Sequence, residues 1–149
     1  SDRMLIYHFT SRDALVSAVV NRASERAIAI VDSLPGGPDV RTAVNELWAA
    51  FQTPQLDGCL DVYCQAAAEG LIGREPYLSD VRATNERWAG ALRAYLLRSG
   101  APAARVARIV TLIDSALYGF HLDLTTDRPD ELALGIDDLA HAAQTLADS

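Results

Sequence analysis

Apolar residues recur every three to four positions along almost the whole chain, which is the period of an amphipathic α-helix. The first stripe predicts a helix over residues 11–34, and its members are Leu15, Val19, Ala23, Ala27, Val31 and Leu34. Similar stripes predict helices over residues 40–53, 55–72, 77–98, 102–124 and 132–146. No segment alternates apolar and polar residues between turn signals, as a strand would. We therefore predict an all-α fold, a bundle of about six helices.

Capping and turn residues mark the ends of these helices. Thr10 and Asp13 form a capping-box-like pair at the start of the first helix. The sequence "PGGP", residues 35–38, marks its end. Pro54 predicts the end of the second helix, and Pro102 predicts the start of the fifth.

Composition restricts the class of protein. The chain has 149 residues, half of them hydrophobic, and a net charge of −7, which suits one globular domain with a real core. No apolar run reaches the roughly 20 residues of a membrane span, and the first residues lack the zones of a secretory signal, so we expect a cytoplasmic protein without a membrane partner. The charge as a whole would repel nucleic acid. Residues 123–149 hold seven acidic residues against one basic residue, whereas residues 1–12 carry a net charge of +1.

Motifs for common enzyme chemistry are absent from the sequence. It contains no H-E-x-x-H, G-x-S-x-G, Walker or dinucleotide-binding pattern. The two cysteines, Cys59 and Cys64, have a spacing that differs from common zinc sites. His8, His121 and His141 do not fall at metal-ligand spacing. We expect no catalytic residues, no metal and no cofactor.

Large aromatic residues lie on the apolar faces of four predicted helices, and a few polar residues share those faces. Such a combination is typical of a small-molecule cavity between helices. The predicted ligand-binding residues are Trp48, Phe51, Tyr63, Asn85, Trp88, Leu92, Tyr95, Asp114, Tyr118 and His121. They predict a mostly apolar ligand. A plain core is the alternative, and it is favoured when the aromatic residues are considered alone.

The fifth and sixth helices carry more apolar surface than a small bundle needs, which predicts a homodimer formed by these two helices. The predicted interface residues are Ile113, Leu117, Phe120, Leu132, Ile136, Leu139 and Ala143. Gly119, unfavourable inside a helix, predicts a close helix approach at its level. Alternatively, both apolar stripes are buried within one chain.

The segment "LIYHFTSRDALVSAVV", residues 5–20, resembles the end of the DNA-binding module in TetR-family transcriptional regulators. In that family a pattern like L-Y-x-H-F-x-S-K-x-x-L joins the recognition helix to the next helix. The matching residues are Leu5, His8, Phe9, Ser11 and Leu15. Arg12 stands where the family usually has Lys, and Ile6 stands where it commonly has a phosphate-contacting Tyr, with Tyr7 one position later.

The resemblance implies two parts. Residues 1–10 would be the remnant of an N-terminal helix-turn-helix module, with some 35 to 45 residues of that module preceding Ser1, and residues 11–149 would form the ligand-binding and dimerisation domain, a TetR-like C-terminal regulatory domain. Tyr7, His8 and Arg12 would contact the DNA backbone, which positions a protein without specifying sequence. Operator DNA and an unknown small-molecule effector are the implied partners besides the second subunit. A repressor released from DNA by its ligand is the expected type of regulator.

Two other functions stay open at the level of the sequence. One is a small helical enzyme or carrier that uses the aromatic cavity, with Asp114 and His121 as an acid–base pair. The other is a helical dimerisation module without a ligand.

Overall fold

The computed structural model describes residues 9–126 and 128–149. Within these ranges the chain forms six α-helices and no strand, so the predicted all-α fold is confirmed. The helices are α1 (Arg12–Ser33), α2 (Val40–Phe51), α3 (Pro54–Leu71), α4 (Tyr77–Arg98), α5 (Val106–Asp123) and α6 (Pro129–Asp148). They agree with the six apolar stripes to within a few residues at each end.

Three helix starts differ from the sequence prediction. Ser11, rather than Thr10, caps α1, because its Oγ accepts a hydrogen bond from the Ala14 N–H at 3.1 Å. Pro54 is the first residue of α3; a first-turn position suits proline, whose missing N–H would have no helical partner there. Residues 102–105 precede α5 as a turn in which the Val106 N–H donates to the Pro102 carbonyl at 2.9 Å.

The chain divides into two compact units. The first unit consists of residues 1–30 and 54–88. Its described part contains most of α1, all of α3 and the first half of α4. Ser17 Oγ donates to Asp80 Oδ2 at 2.6 Å, and Arg87 Nη2 donates to Asn21 Oδ1 at 2.7 Å. These two bonds join α1 to α4 with both helices running in the same direction.

The second unit consists of residues 31–53 and 89–149. In it α2, α5 and α6 pack against one another. Arg41 links α2 to α6, because its side chain pairs with Asp137 at 2.7 Å and its backbone N–H donates to Gln144 Oε1 at 3.1 Å. Fully buried aliphatic side chains from α2 and α5, including Leu47, Ile109 and Ile113, form the core of this unit.

The end of α4 is tied to the segment that follows α1. Arg98 Nη2 lies 3.3 Å from the Leu34 carbonyl oxygen and 3.5 Å from those of Val31 and Asp32, so it donates to carbonyls that the helix end leaves without helical partners. Gly36 has a φ of 82°, and a Cβ there would lie 3.1 Å from Cβ of Arg98. The "PGGP" turn therefore needs glycine both for its backbone angle and for its packing.

The close helix contact of the second unit lies at Gly135, not at Gly119. A Cβ on residue 119 would meet no described atom within 4 Å, whereas a Cβ on residue 135 would lie 2.8 Å from Phe120 Cε1. Within the chain, the predicted close approach at Gly119 is therefore wrong. Separately, none of the described helices combines the length and the low polarity that crossing a membrane requires.

Candidate ligand-binding groove

Two adjoining cavities in the first unit are lined mainly by α1 and α3. The larger has a volume of about 710 Å³ and the other about 560 Å³. Val19 of α1 and Val62 of α3 line both, so the two cavities are neighbours that meet at these side chains. We call the two cavities together the α1–α3 groove. Phe9, just before α1, lines its larger cavity, and Tyr77, the first residue of α4, lines the other.

Small side chains create the space in the groove. Ala18 and Ala23 of α1 face Gly58 and Cys59 of α3 along the larger cavity. A Cβ on Gly58 would meet no described atom within 4 Å, so this part of the wall is open. Val19, which belongs to the apolar stripe of α1, remains 47% exposed. An apolar side chain in this state leaves surface that a ligand can cover.

Two arginines border the larger cavity. Arg22 and Arg26 lie four residues apart on α1, which places them on one face of the helix. Arg22 pairs with Glu25 at 3.7 Å, but both side chains are exposed, so the pair is weak. Arg26 has no ion-pair or hydrogen-bond partner among residues 9–126 and 128–149. No acidic residue lines this cavity within the described part of the chain, so its electrostatic character is cationic.

Cys59 is the buried polar side chain of the larger cavity. Its Sγ donates to the Gln55 carbonyl at 3.2 Å. Burial raises the pKa of the Cys59 thiol, and the positive charge of Arg26 opposes that shift. Burial also raises the pKa of Cys64, together with the charge of Asp61. Both side chains are therefore protonated thiols at neutral pH, and a thiol is a poor nucleophile.

A smaller polar cavity of about 340 Å³ lies at the start of α1. It is lined by charged residues of both signs, among them Arg12, Asp13, Glu69, Arg74 and Glu75. Arg74 pairs with Glu69 at 2.5 Å. Arg12, a predicted DNA-backbone contact, is exposed at this edge. The other two predicted contacts, Tyr7 and His8, lie outside the described residues.

The ten predicted ligand-binding residues divide between the two units. Tyr63, Asn85 and Trp88 belong to the first unit, where the Tyr63 hydroxyl lies 3.5 Å from Oδ1 of an exposed Asn85. The second unit contains the other seven: Trp48, Phe51, Leu92, Tyr95, Asp114, Tyr118 and His121. The three cavities described above are lined by other residues.

Three predicted aromatic residues meet in the second unit. The ring of Phe51 lies 6.3 Å from that of Trp48 and 6.2 Å from that of Tyr118, and Phe120 contacts Trp48 edge-on at 6.2 Å. Phe51 has no exposed surface. Around Phe51 these rings therefore fill the interior by the tilted contacts that aromatic side chains prefer.

Tyr95 is fully buried, and its hydroxyl forms hydrogen bonds within the second unit. It lies 3.0 Å from Glu46 Oε2 and 3.2 Å from the Ala43 carbonyl, both on α2. Burial raises the pKa of Tyr95 well above its usual range, and the hydrogen bond to Glu46 acts in the same direction. Arg98 lies 5.8 Å from the centre of the ring. In this position Tyr95 joins α4 to α2.

Most of the predicted dimer-interface residues are buried within the single chain. Six of them are buried, namely Ile113, Leu117, Leu132, Ile136, Leu139 and Ala143, and Phe120 is half-buried against Gly135. Ile113, Leu117 and Ala143 have no exposed surface, so these three cannot contact a second chain in this arrangement. Any dimer built on α5 and α6 would instead use their exposed positions, where Leu122 is 59% and Leu134 68% exposed.

The apolar stripe of α1 does not predict the α1–α3 groove, because it indicates an apolar face and not which of its residues the neighbouring helices leave exposed. A signal in the sequence is that Arg22 and Arg26 directly precede the stripe residues Ala23 and Ala27, which places two cations beside the apolar face of α1. Comparisons with models of protein families, with curated proteins and with solved structures found no match to this chain.

Proposed function

We propose that this chain is the effector-sensing and dimerising part of a TetR-like transcriptional regulator. One observation carries the proposal. The helix that follows the "LIYHFTS" segment, α1, also forms one wall of the α1–α3 groove. A ligand in the groove would therefore contact the helix that is joined to the DNA-binding module.

The mechanism follows from differential binding. A ligand shifts an equilibrium between two arrangements only by as much as its affinity for them differs. Because the groove has one wall on α1 and the other on α3, its width depends on how these helices lie against each other. A ligand that fits one width would stabilise one position of α1. In a dimer whose half-sites lie about 34 Å apart, a shift of a few ångströms misaligns the two DNA-binding modules.

The proposal includes a homodimer through α5 and α6. Leu122 and Leu134 are large apolar side chains left in solvent on these two helices. Gly119 is open, so a neighbouring helix has room to approach α5 closely there. Small residues at such a position favour close helix contact between subunits.

The experiment that tests the proposed function uses the product of the complete open reading frame. Binding of this protein to the DNA upstream of its own gene is measured by mobility shift, with and without compounds that raise the melting temperature of the protein. We expect sequence-specific binding that at least one such compound weakens. Absence of any specific DNA binding would overturn the proposal, as would affinity that no stabilising compound changes.

The enzyme alternative is weakened by geometry. Asp114 and His121 lie seven residues apart on α5, which separates their backbone positions by about 10 Å along the helix axis. Side chains on one helix meet mainly at spacings of three and four residues, so a spacing of seven does not favour an acid–base pair in contact. Turnover of a substrate that is lost in both Asp114→Asn and His121→Gln would nevertheless favour an enzyme.

A further inference from the structure

We propose that the α1–α3 groove binds an amphipathic monocarboxylate, an aliphatic chain with one terminal carboxylate. The inference deepens the proposed function, and it rests on that function only in treating the ligand as an effector. Three features of the groove carry it: its apolar walls, its length and the uneven distribution of charge along it.

The walls of the groove suit an aliphatic chain. Apart from its two ends, they consist mainly of valines and alanines, including Val16, Val19, Val20, Val62 and Ala66. Covering such side chains removes apolar surface from water, which is the main favourable term in binding an aliphatic chain. Along α1 the groove extends from Leu15 to Arg26, which corresponds to about 16 Å of helix. An extended chain of medium length fits this distance.

The two ends of the groove differ in charge. At the α3 start, Arg22 and Arg26 provide two guanidinium groups, and Arg26 has no acidic partner among the described residues. At the opposite end Glu69 lines the groove. A carboxylate is therefore attracted to the arginine end, where a guanidinium can bind it through two parallel hydrogen bonds. At the other end Glu69 is paired with Arg74 at 2.5 Å and offers a carboxylate no attraction. A chain with a carboxylate at both ends would place one of them near Glu69, so the groove favours the monocarboxylate.

Dodecanoate is the probe that tests this proposal, and isothermal titration calorimetry on the chain as it stands measures its binding without DNA. We expect one molecule of dodecanoate per chain, bound at least tenfold more tightly than dodecyltrimethylammonium and more tightly than dodecanedioate. Equal affinity for the anionic and cationic probes would overturn the proposal. Absence of dodecanoate binding would do the same.

Variants locate the site. Arg26→Gln removes the charge of an exposed side chain and should weaken dodecanoate binding about tenfold while leaving dodecanol binding unchanged. Val19→Trp fills the groove at a half-exposed position and should abolish binding of both probes. Arg82→Gln, a matched exposed arginine on α4 outside the groove lining, should change neither. Unchanged dodecanoate affinity in Arg26→Gln would contradict the proposed site even if Val19→Trp failed to fold.

The outcomes separate this inference from the proposed function. If dodecanoate binds with the predicted variant pattern but does not alter DNA binding by the complete protein, the groove assignment stands and its role as the effector site falls. If the complete protein binds DNA and responds to other compounds but the groove binds no carboxylate, the groove assignment falls and the regulator stands.

Discussion

Phe120 on α5 lies directly against Gly135 on α6, so that a Cβ added to residue 135 would lie 2.8 Å from Cε1 and 3.0 Å from Cζ of the ring. The ring is also held from another side, because it contacts Trp48 of α2 at 6.2 Å. Glycine at position 135 is thus required by packing. Any side chain there must displace a ring that three helices share.

The two helical glycines of the second unit should respond in opposite ways to alanine. In the single chain Gly119→Ala places a methyl group in open space, so at a protein concentration at which the chain is monomeric it should raise the free energy of unfolding by up to about 1 kcal/mol, the difference in helix propensity. Gly135→Ala gains the same propensity but must move Phe120, and overpacking costs about 1 to 3 kcal/mol. We expect a net loss. Urea denaturation of both variants measures the change in the free energy of unfolding. Equal stabilisation by the two substitutions would contradict the contact between Gly135 and Phe120.

These glycines illustrate what the sequence alone could establish. The apolar stripe of each helix predicts that the helix exists and which of its faces is apolar, because helical periodicity is a local property. Gly119 and Gly135 look alike in the sequence, since each interrupts a helix with strong apolar periodicity. Which of them meets another helix depends on the register of α5 against α6, and that register is fixed by packing between distant residues.

The candidate site was less predictable than the fold for the same reason. Val19 and Ala27 belong to one stripe, yet Val19 is 47% exposed and Ala27 is 6% exposed. The difference depends on which other helices cover each position, which no local pattern reports. Trp48 and Phe51 were correctly placed on an apolar face, but that face is equally suited to a core and to a cavity wall.

Tyr95 should make stability depend on pH in the alkaline range. The pKa of the folded-state phenol is raised above the ordinary value of 10.0 by burial and by the hydrogen bond to Glu46. As pH rises through 10.0, the unfolded chain therefore releases this proton before the folded chain does, and stability falls. Well below pH 10.0 the Tyr95 phenol is protonated in both the folded and the unfolded chain, so its full contribution to stability is present there. Urea denaturation at about pH 8 and about pH 11 should show the fall.

Removing the hydroxyl isolates this contribution. Tyr95→Phe deletes the donor to Glu46 and should cost about 1.5 to 3 kcal/mol at neutral pH, the range for hydrogen bonds to charged groups. Its stability should then fall less steeply than that of the wild type in the alkaline range. Tyr77→Phe, which removes a half-buried phenol of the first unit, serves as the control and should retain the wild-type slope.

The Ser17–Asp80 hydrogen bond should be a measurable link between α1 and α4. It is short, at 2.6 Å, partly buried, and its acceptor is a carboxylate, so Ser17→Ala should lower the free energy of unfolding by about 1 to 2 kcal/mol. Ser24→Ala gives the matched control, because Ser24 lies on the same helix and makes no side-chain hydrogen bond within the described residues. Alanine there should be neutral or slightly stabilising. Equal effects of the two substitutions would show that the bond contributes little.

The proposed dimer makes a prediction that exposed residues can test without disturbing the fold. Leu122 is 59% exposed and a Cβ on Gly119 would meet no described atom, so in the single chain Leu122→Glu should leave the melting temperature close to that of the wild type and Gly119→Arg should not lower it. If α5 faces a second subunit, both variants bury a charge without a partner and should convert a dimer into a monomer. Light scattering at micromolar concentration measures the mass. Leu71→Glu, at a position of the first unit that is 88% exposed, should leave the dimer intact, whereas a wild-type monomer at this concentration would refute the dimer itself.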